Sequence, residues 1–541
     1  MLRALPVAVL AVALCTIAAA APATAERTDP DRPEIVAIYP NPVADGDAGE
    51  FVVLDLPAGT ASSLALTDGE TTVAIPNGTS GTVRLSTAAN RTRALVGRPV
   101  RKLPGHLALA NSGERVRLVS GNLTVDAVRY EDAPDGELLR VAADDGGGHA
   151  TRWQPLGATD REVVTGGAGT VEAFVLPDAG GAPAGELANA SDRILLAGYT
   201  LTSERVAATL RRAHRRNVTV RVLVEGGPVG GVSERQARLL DDLAAAGIDV
   251  RAVGGDRARY RFHHPKYAVV DDRAVVTTEN WKPAGTGGRA SRGWGVVTTQ
   301  SAVVTGLVET FRADAGWRDA VPWEDYRSDV NATNGSVATG TYGGRFDTRA
   351  VPVNRTRLLV APDNAEGAVV DLLRGADDSI WIEQAGVGGV NQPFVRESLA
   401  AARRGVTVRL LLGSEWYNRE DNRAIADRLN AIADREGLDL DARLVDPNGR
   451  FEYLHAKGAV VDGEHVLLGS LNWNNNSARN NREVALVLTG EAVGDYYGGV
   501  VRADWRGGTT RIVVGLAAVA VLAAIVALLV ARRIRFVETA R

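Results

Sequence analysis

The sequence has almost no cysteine: one residue, Cys15, in 541. It lies in an N-terminal apolar run, so a mature chain cut beyond it has no disulfide, no thiolate zinc site and no cysteine nucleophile. Lysine is nearly as scarce, with only Lys102, Lys266, Lys282 and Lys457 among 61 basic residues. An excess of one charge sign is missing too. A net charge of -4 supplies no global cationic field, which excludes bulk packaging of nucleic acid and leaves any grip on phosphate to local clusters. With 45% hydrophobic and 23% charged residues the chain is ordinary globular protein. Its length suggests about three or four domains at ~100–200 residues each.

Both ends carry long uncharged runs. Arg3, the apolar stretch from Leu5 to Ala20 and Ala23-Thr24-Ala25 read as a secretory signal over residues 1–25, cleaved after Ala25. Ile512 to Ala531 is uncharged and long enough to span a bilayer as a helix. Arg532, Arg533 and Arg535 follow it, which places the tail at 532–541 inside the cell and everything before the span outside. Nine N-x-[ST] sequons are compatible with export.

From Pro33 to Tyr130, short β-type runs alternate with Gly, Pro, Asn and Asp, the pattern of an all-β sandwich. The segments Tyr39-Pro40-Asn41-Pro42, Gly49 to Leu54, Leu109 to Glu114 and Val125 to Val128 resemble a lamin-tail domain. The resemblance implies an immunoglobulin-like accessory module over residues 32–155. Gly146 to Gly169 reads as a linker, and Arg327 to Arg355 as an interlobe loop.

Between and after these segments the chain repeats itself. Asp178 recurs as Asp363 (offset 185), Asp192 as Asp378 (offset 186) and Val220 as Val408 (offset 188). Apolar strands alternate with amphipathic stretches such as Ser203 to Arg215 and Pro393 to Arg404, which predicts two α/β lobes, residues 170–326 and 356–506. Each lobe carries H-x-K-x4-D: His264, Lys266 and Asp271 in the first, His455, Lys457 and Asp462 in the second. An Asn-Trp pair follows each, Asn280-Trp281 and, after Gly469-Ser470-Leu471, Asn472-Trp473.

This duplicated motif resembles the phospholipase D superfamily, whose paired motifs meet at one active site. The fold class implied is multidomain: an N-terminal all-β immunoglobulin-like sandwich, a duplicated α/β phospholipase D-like fold and a C-terminal transmembrane helix. On a strand, His and Lys at i and i+2 face the same way. One neutral imidazole can then attack phosphorus while the other, protonated, serves the leaving oxygen. Lys266, Lys457, Asn280 and Asn472 would stabilise the phosphoryl oxygens, with Ser470 in the same motif; the chemistry calls for no metal or cofactor. Asp271 and Asp462 fall beyond the strand and read as structural or orienting.

The resemblance implies that Glu483 holds the far nitrogen of His264. Its counterpart, aligned on Val484 with Gly295, is Trp294, which leaves His455 without an acid and assigns it to leaving-group protonation. The first copy also has one residue fewer between its Asp and Asn, which puts its phosphate contacts in question. His263 and His465 read as structural. Arg257, Arg259, Arg261 and Arg450 read equally as a phosphate-recruiting rim or a solvated strand face. A metal site on His263, Asp271 and Asp272 fits no tight ligand spacing.

The expected function is an exported, membrane-anchored phosphodiesterase, a monomer with both motifs in one site. Phospholipid is favoured modestly over nucleic acid, and a degenerate surface binding protein is the alternative from another class. Protease added to intact cells should therefore remove the lobes and spare the last few residues. Protection of the lobes would overturn the exported topology.

Overall fold

The computed structural model describes residues 32–42, 48–143 and 149–507. The signal segment, its cleavage site, the span at 512–531 and the tail lie outside the described residues. Among the described residues no helix is long and apolar enough to cross a membrane.

The N-terminal part is two sheets around one core. The six-stranded sheet runs in the order His149–Pro155, Glu137–Ala143, Glu34–Tyr39, Phe51–Leu56, Gly81–Ser86, Val100–Lys102; the four-stranded sheet is Thr72–Ala74, Leu64–Thr67, Gly113–Ser120, Leu123–Glu131. Alternation directs one face of each strand inward. Asp126, Val128 and Tyr130 are buried while the flanking Arg129 and Glu131 are exposed. Ile38, Val52 and Leu85 meet Leu66, Leu118 and Val128 in the shared interior.

Each lobe starts from three parallel strands, which require crossover helices. In the first these are Arg193–Gly198, Thr219–Glu225 and Asp249–Val253, joined through helices Glu204–Arg215 and Glu234–Ala245. Ser203 caps the former by accepting the Val206 N–H, and Val206, Ala207, Leu210 and Ala213 form its buried stripe. The second lobe repeats the plan with Ser379–Gln384, Thr407–Leu412 and Leu440–Leu444 and helices Pro393–Arg403 and Arg419–Glu436. The lobes share one apolar core, in which Tyr267, Trp294 and Val296 pack with Leu454, Val460, Leu486 and Tyr497.

Two segments read as irregular contain strands. Within 146–169, His149–Pro155 closes the six-stranded sheet, and Val164–Gly166 pairs with Arg355–Ala361 at the edge of the second lobe. Within 327–355, Arg349–Val353 pairs with Gly169–Leu176 of the first lobe. Backbone groups at a sheet edge accept a partner whatever its side chains, so these strands are short or, as in Arg349–Val353, interrupted by a proline, although Val351 and Val353 are buried in the core.

The x4 spacing of the motif is a hairpin. Tyr267–Val270 turns into Arg273–Thr277 through two residues, with Val270 paired to Arg273; Lys457–Val461 turns into His465–Gly469 through three, with Val461 paired to His465. The residue missing from the first copy is therefore lost in the turn, not beside the histidine. Asp271 and Asp462 open these turns with φ of 55° and 54°. Their carboxylates accept backbone N–H groups at the head of the neighbouring strand, from Ser191, Asp192 and Arg193 at 2.8 Å each, and from Asp377, Asp378 and Ser379 at 3.1, 2.8 and 2.9 Å. Five strand residues put them about 15 Å from the lysines. They are fold residues rather than catalytic ones.

Asp462→Ala should therefore lower the urea midpoint of the catalytic lobes by an amount worth roughly 1–3 kcal/mol, the cost of orphaning these donors. A midpoint equal to that of the unmodified protein would show that the turn does not depend on the carboxylate.

Candidate active site

Two buried arginines bring the motifs together. Arg482, of the second lobe, bonds Asp363 at 3.2 Å and Asp314 of the first lobe at 3.0 Å. Arg292, of the first lobe, pairs with Asp178 and with Asp504 of the second at 2.8 Å. Their carbonyls accept the backbone N–H of the opposite histidine: His264 to Arg482 and His455 to Arg292, both at 2.9 Å. Each histidine is thus held by backbone from the other lobe. Both lie just outside a regular strand, yet each stays beside its lysine. Lys266 Nζ is 2.9 Å from His264 Nε2 and donates to the His264 carbonyl at 2.8 Å; Lys457 Nζ donates to the His455 carbonyl at 2.8 Å.

Carboxylates cross between the lobes as well. Glu483 Oε2 lies 2.8 Å from His264 Nδ1, the pairing expected of it, and its other oxygen accepts from Ser477 Oγ at 2.5 Å and Asn481 Nδ2 at 3.0 Å. His455 also has an acid, contrary to the expectation. Glu279 Oε2 lies 3.1 Å from His455 Nδ1.

Backbone pairing explains the difference. Thr278 N–H donates to the Trp294 carbonyl and Trp294 N–H to Thr278 Oγ1, as Ser470 and Val484 do in the second lobe. Leu176 pairs with Gly293 as Ala361 pairs with Glu483. Trp294 therefore corresponds to Val484, and the counterpart of Glu483 is Gly293. A Cβ on Gly293 would stand 2.3 Å from Glu279 Cγ and 2.5 Å from its Oε1, so the missing side chain makes room for the relocated acid. Trp294 instead packs over Gly458 and donates to Glu383 at 3.0 Å. The sequence signal for Glu279 was an acid immediately before Asn280 coupled to a glycine where the second copy has Glu483.

Burial, aided by neighbouring lysines and opposed by Glu483, lowers the His264 pKa to about 4; burial and Lys457, opposed by Glu279, lower that of His455 to about 3. Both rings are neutral at rest, and a carboxylate at Nδ1 fixes the proton there and leaves Nε2 as the lone-pair nitrogen. Burial likewise lowers Lys457 to about 8 and Lys266 well below its ordinary value. Burial alone would raise Glu279 and Glu483, but the facing imidazoles and lysines outweigh it and hold both low.

Asn280 is buried, and its Oδ1 has no hydrogen-bond partner. The Ser470 hydroxyl is taken up by Val484 backbone, and Asn472 is anchored through its N–H to Ser477 Oγ at 3.3 Å. Tyr199 stands edge-on to His264, 4.6 Å between ring centres. His263 is buried against Asp314, and His465 bonds Thr489. The rim reading fails for two of its arginines: Arg259 is buried on Asp319 and Arg450 on Asp504. Among the described residues no cluster of three or more His, Cys, Asp or Glu could hold a metal.

Residues 184–315 and 369–505, one segment in each lobe, match the family described as cardiolipin synthase, PLD-like domain. The match does not include residues 32–155, where the lamin-tail resemblance rests on its motifs. No curated protein matches the chain. Among solved structures it is similar to phosphatidylserine synthase from Haemophilus influenzae Rd KW20, with 14% identity and TM-score 0.46 over 63% of this chain and 86% of that one. It is also similar to Nuc from Salmonella typhimurium, a phospholipase D family member, with 17% identity and TM-score 0.25 over 29% and 97%. A third is polyphosphate kinase from Porphyromonas gingivalis, with 15% identity and TM-score 0.41 over 62% and 50%.

If Glu279 does for His455 what Glu483 does for His264, Glu279→Gln and Glu483→Gln should both reduce kcat, on the order of 10²-fold or more. The double change Glu279→Leu/Gly293→Glu, which copies the second lobe, should recover part of the loss seen in Glu279→Leu. Full activity in Glu279→Gln would remove the residue from the site.

Proposed function

We propose that this protein is an exported, membrane-anchored phosphodiesterase of phospholipase D type, with phospholipid as substrate and a lamin-tail-like sandwich as accessory domain. The observation that carries the reading is the crossed pair of histidine–carboxylate contacts, His264 with Glu483 and His455 with Glu279, at 2.8 and 3.1 Å. A binding protein would gain nothing from two neutral imidazoles with oriented lone pairs.

His264 Nε2, which faces Lys266 Nζ at 2.9 Å in the resting site, attacks phosphorus and forms an N–P bond as the P–O bond to the leaving group breaks. His455 takes up a proton as the anionic diester enters and passes it from Nε2 to the departing oxygen. Water then attacks the phosphohistidine, His455 accepts its proton, and the phosphate product leaves with His264 restored. Lys266, Lys457, Asn280 and Asn472 hold the non-bridging oxygens.

Two features support a lipid over a nucleic acid. Trp416 is 87% exposed and Tyr417 is 54% exposed on the loop after Thr407–Leu412. The same loop carries Glu415, which accepts the Leu454 N–H at 2.8 Å, immediately before His455. An exposed Trp-Tyr pair at the site suits a bilayer interface. Arginines that would track a nucleic-acid backbone, Arg259 and Arg450, are instead buried in ion pairs.

Brief incubation with an aryl phosphodiester followed by mass spectrometry of acid-sparing digests should place phosphate on His264. His455→Ala should still be labelled, because such a leaving group needs little protonation, and His264→Ala should not. Parallel assays on phospholipid vesicles and on DNA should show turnover of the lipid. Label on His455, or cleavage of DNA alone, would overturn the role assignment or the substrate respectively.

A further inference from the structure

Beside the catalytic groups lies a cavity of about 580 Å3 that the chemistry above does not use. Its walls come from both lobes and from the segment joining them: Thr200, Arg235, Gln236 and Lys282 from the first, Tyr453 from the second, and residues 335–340 between. Lys282 follows Asn280-Trp281, and its charge acts on His455, Lys457 and Glu279. The Tyr453 ring stands edge-on to His455, 6.5 Å between centres. Lys282, two residues after Asn280, and Tyr453, against the His455 ring, thus form the wall of the cavity nearest His455.

Its polar groups are chiefly donors. Gln236 is 1% exposed, and while its Oε1 accepts the Leu201 N–H at 3.2 Å, its Nε2 has no partner. The Thr200 hydroxyl is likewise buried and unpartnered. Arg235 is already engaged by Glu204 at 3.0 Å, whereas among the described residues Lys282 has no carboxylate within ion-pair distance. The one carboxylate on the wall, Glu452, is exposed. Tyr453 is the only aromatic residue lining the cavity, so there is no cage of the kind that holds a quaternary ammonium.

We infer that this cavity is the head-group subsite, and that Lys282 selects hydroxylated or anionic head groups over cationic ones. Of the two halves of a phospholipid, only the head group suits donor-lined walls; the acyl half would stay with the exposed Trp416 and Tyr417. The head-group alcohol is also the leaving group, and a cavity walled by Lys282 and Tyr453 puts it near the histidine that protonates it. The inference rests on the phospholipid reading above.

The test uses the full-length protein with vesicles of equal phosphatidylglycerol and phosphatidylcholine, and measures released glycerol and choline together. Glycerol release should exceed choline release roughly tenfold, the scale of one like-charge contact in a partly wet site. Lys282→Gln should bring the ratio toward one through a higher KM for phosphatidylglycerol, and Lys282→Arg should keep it. Gln236→Leu should lower glycerol release without raising choline release. Equal release by the unmodified protein, or a ratio that Lys282→Gln does not move, would overturn the subsite while leaving the phospholipase reading intact. Cleavage of neither lipid alongside turnover of bis(p-nitrophenyl) phosphate would overturn both.

Discussion

The candidate active site depends on two guanidinium groups that water never reaches. Arg292 and Arg482 are 0% exposed, and each forks onto two aspartates from different lobes. Burying such a charge costs several kcal/mol unless its donors are satisfied, and removing one partner typically costs about 3–5 kcal/mol. The arrangement is therefore a poor source of net stability and a strong source of uniqueness. In this docking each arginine meets a carboxylate from either lobe, and the arginine carbonyls reach the N–H groups of the two histidines. A planar fork suits this task better than an ammonium on a flexible stem.

From that constraint the electrostatics follow. With the lobes locked, each imidazole sits beside a lysine, His264 buried and His455 largely so, and faces a carboxylate from the opposite lobe, so neither lobe alone contains a complete histidine site. Burial is the leading influence on both rings and keeps them neutral at rest. Burial lowers both motif lysines as well, and in the proposed reading an anionic diester is the ligand that would hold them in the ammonium form. Three of the chain's four lysines, Lys266, Lys282 and Lys457, stand in or beside this site, while arginine supplies basic charge almost everywhere else.

How much of this was legible in the sequence varied with the kind of signal. The repeat, the strand and helix alternation, and the doubled H-x-K-x4-D were readable because their spacings are imposed by hairpins and crossovers. The contact of Glu483 with His264 was readable from the family resemblance. Glu279 was not, because a run such as Gly295-Val296-Val297 aligns equally well one residue either way, and only the Thr278–Trp294 backbone pairing fixes the register. Arg259 and Arg450 were misread because burial leaves no mark on a charged residue in an arginine-rich chain. The edge strands Val164–Gly166 and Arg349–Val353 went unseen because one is three residues long and the other carries Pro352 in a stretch flanked by polar loop residues.

The segment after the sandwich is wired into the same arginine. Thr159 donates its N–H and hydroxyl to Asp363, and its hydroxyl also receives a bond from Arg482 Nη2 at 3.1 Å. Arg482 in turn carries the carbonyl that holds His264. The sandwich side packs there as well, where Tyr39, Arg91 and Leu95 share a cavity wall with Glu225, Tyr260 and Phe262. Glu225 accepts the His263 N–H at 2.6 Å, one residue before His264, much as Glu415 accepts that of Leu454 before His455. The region read as a linker thus helps fix the position of His264. The sandwich is joined to the lobes through the same arginine that holds a histidine of the candidate site.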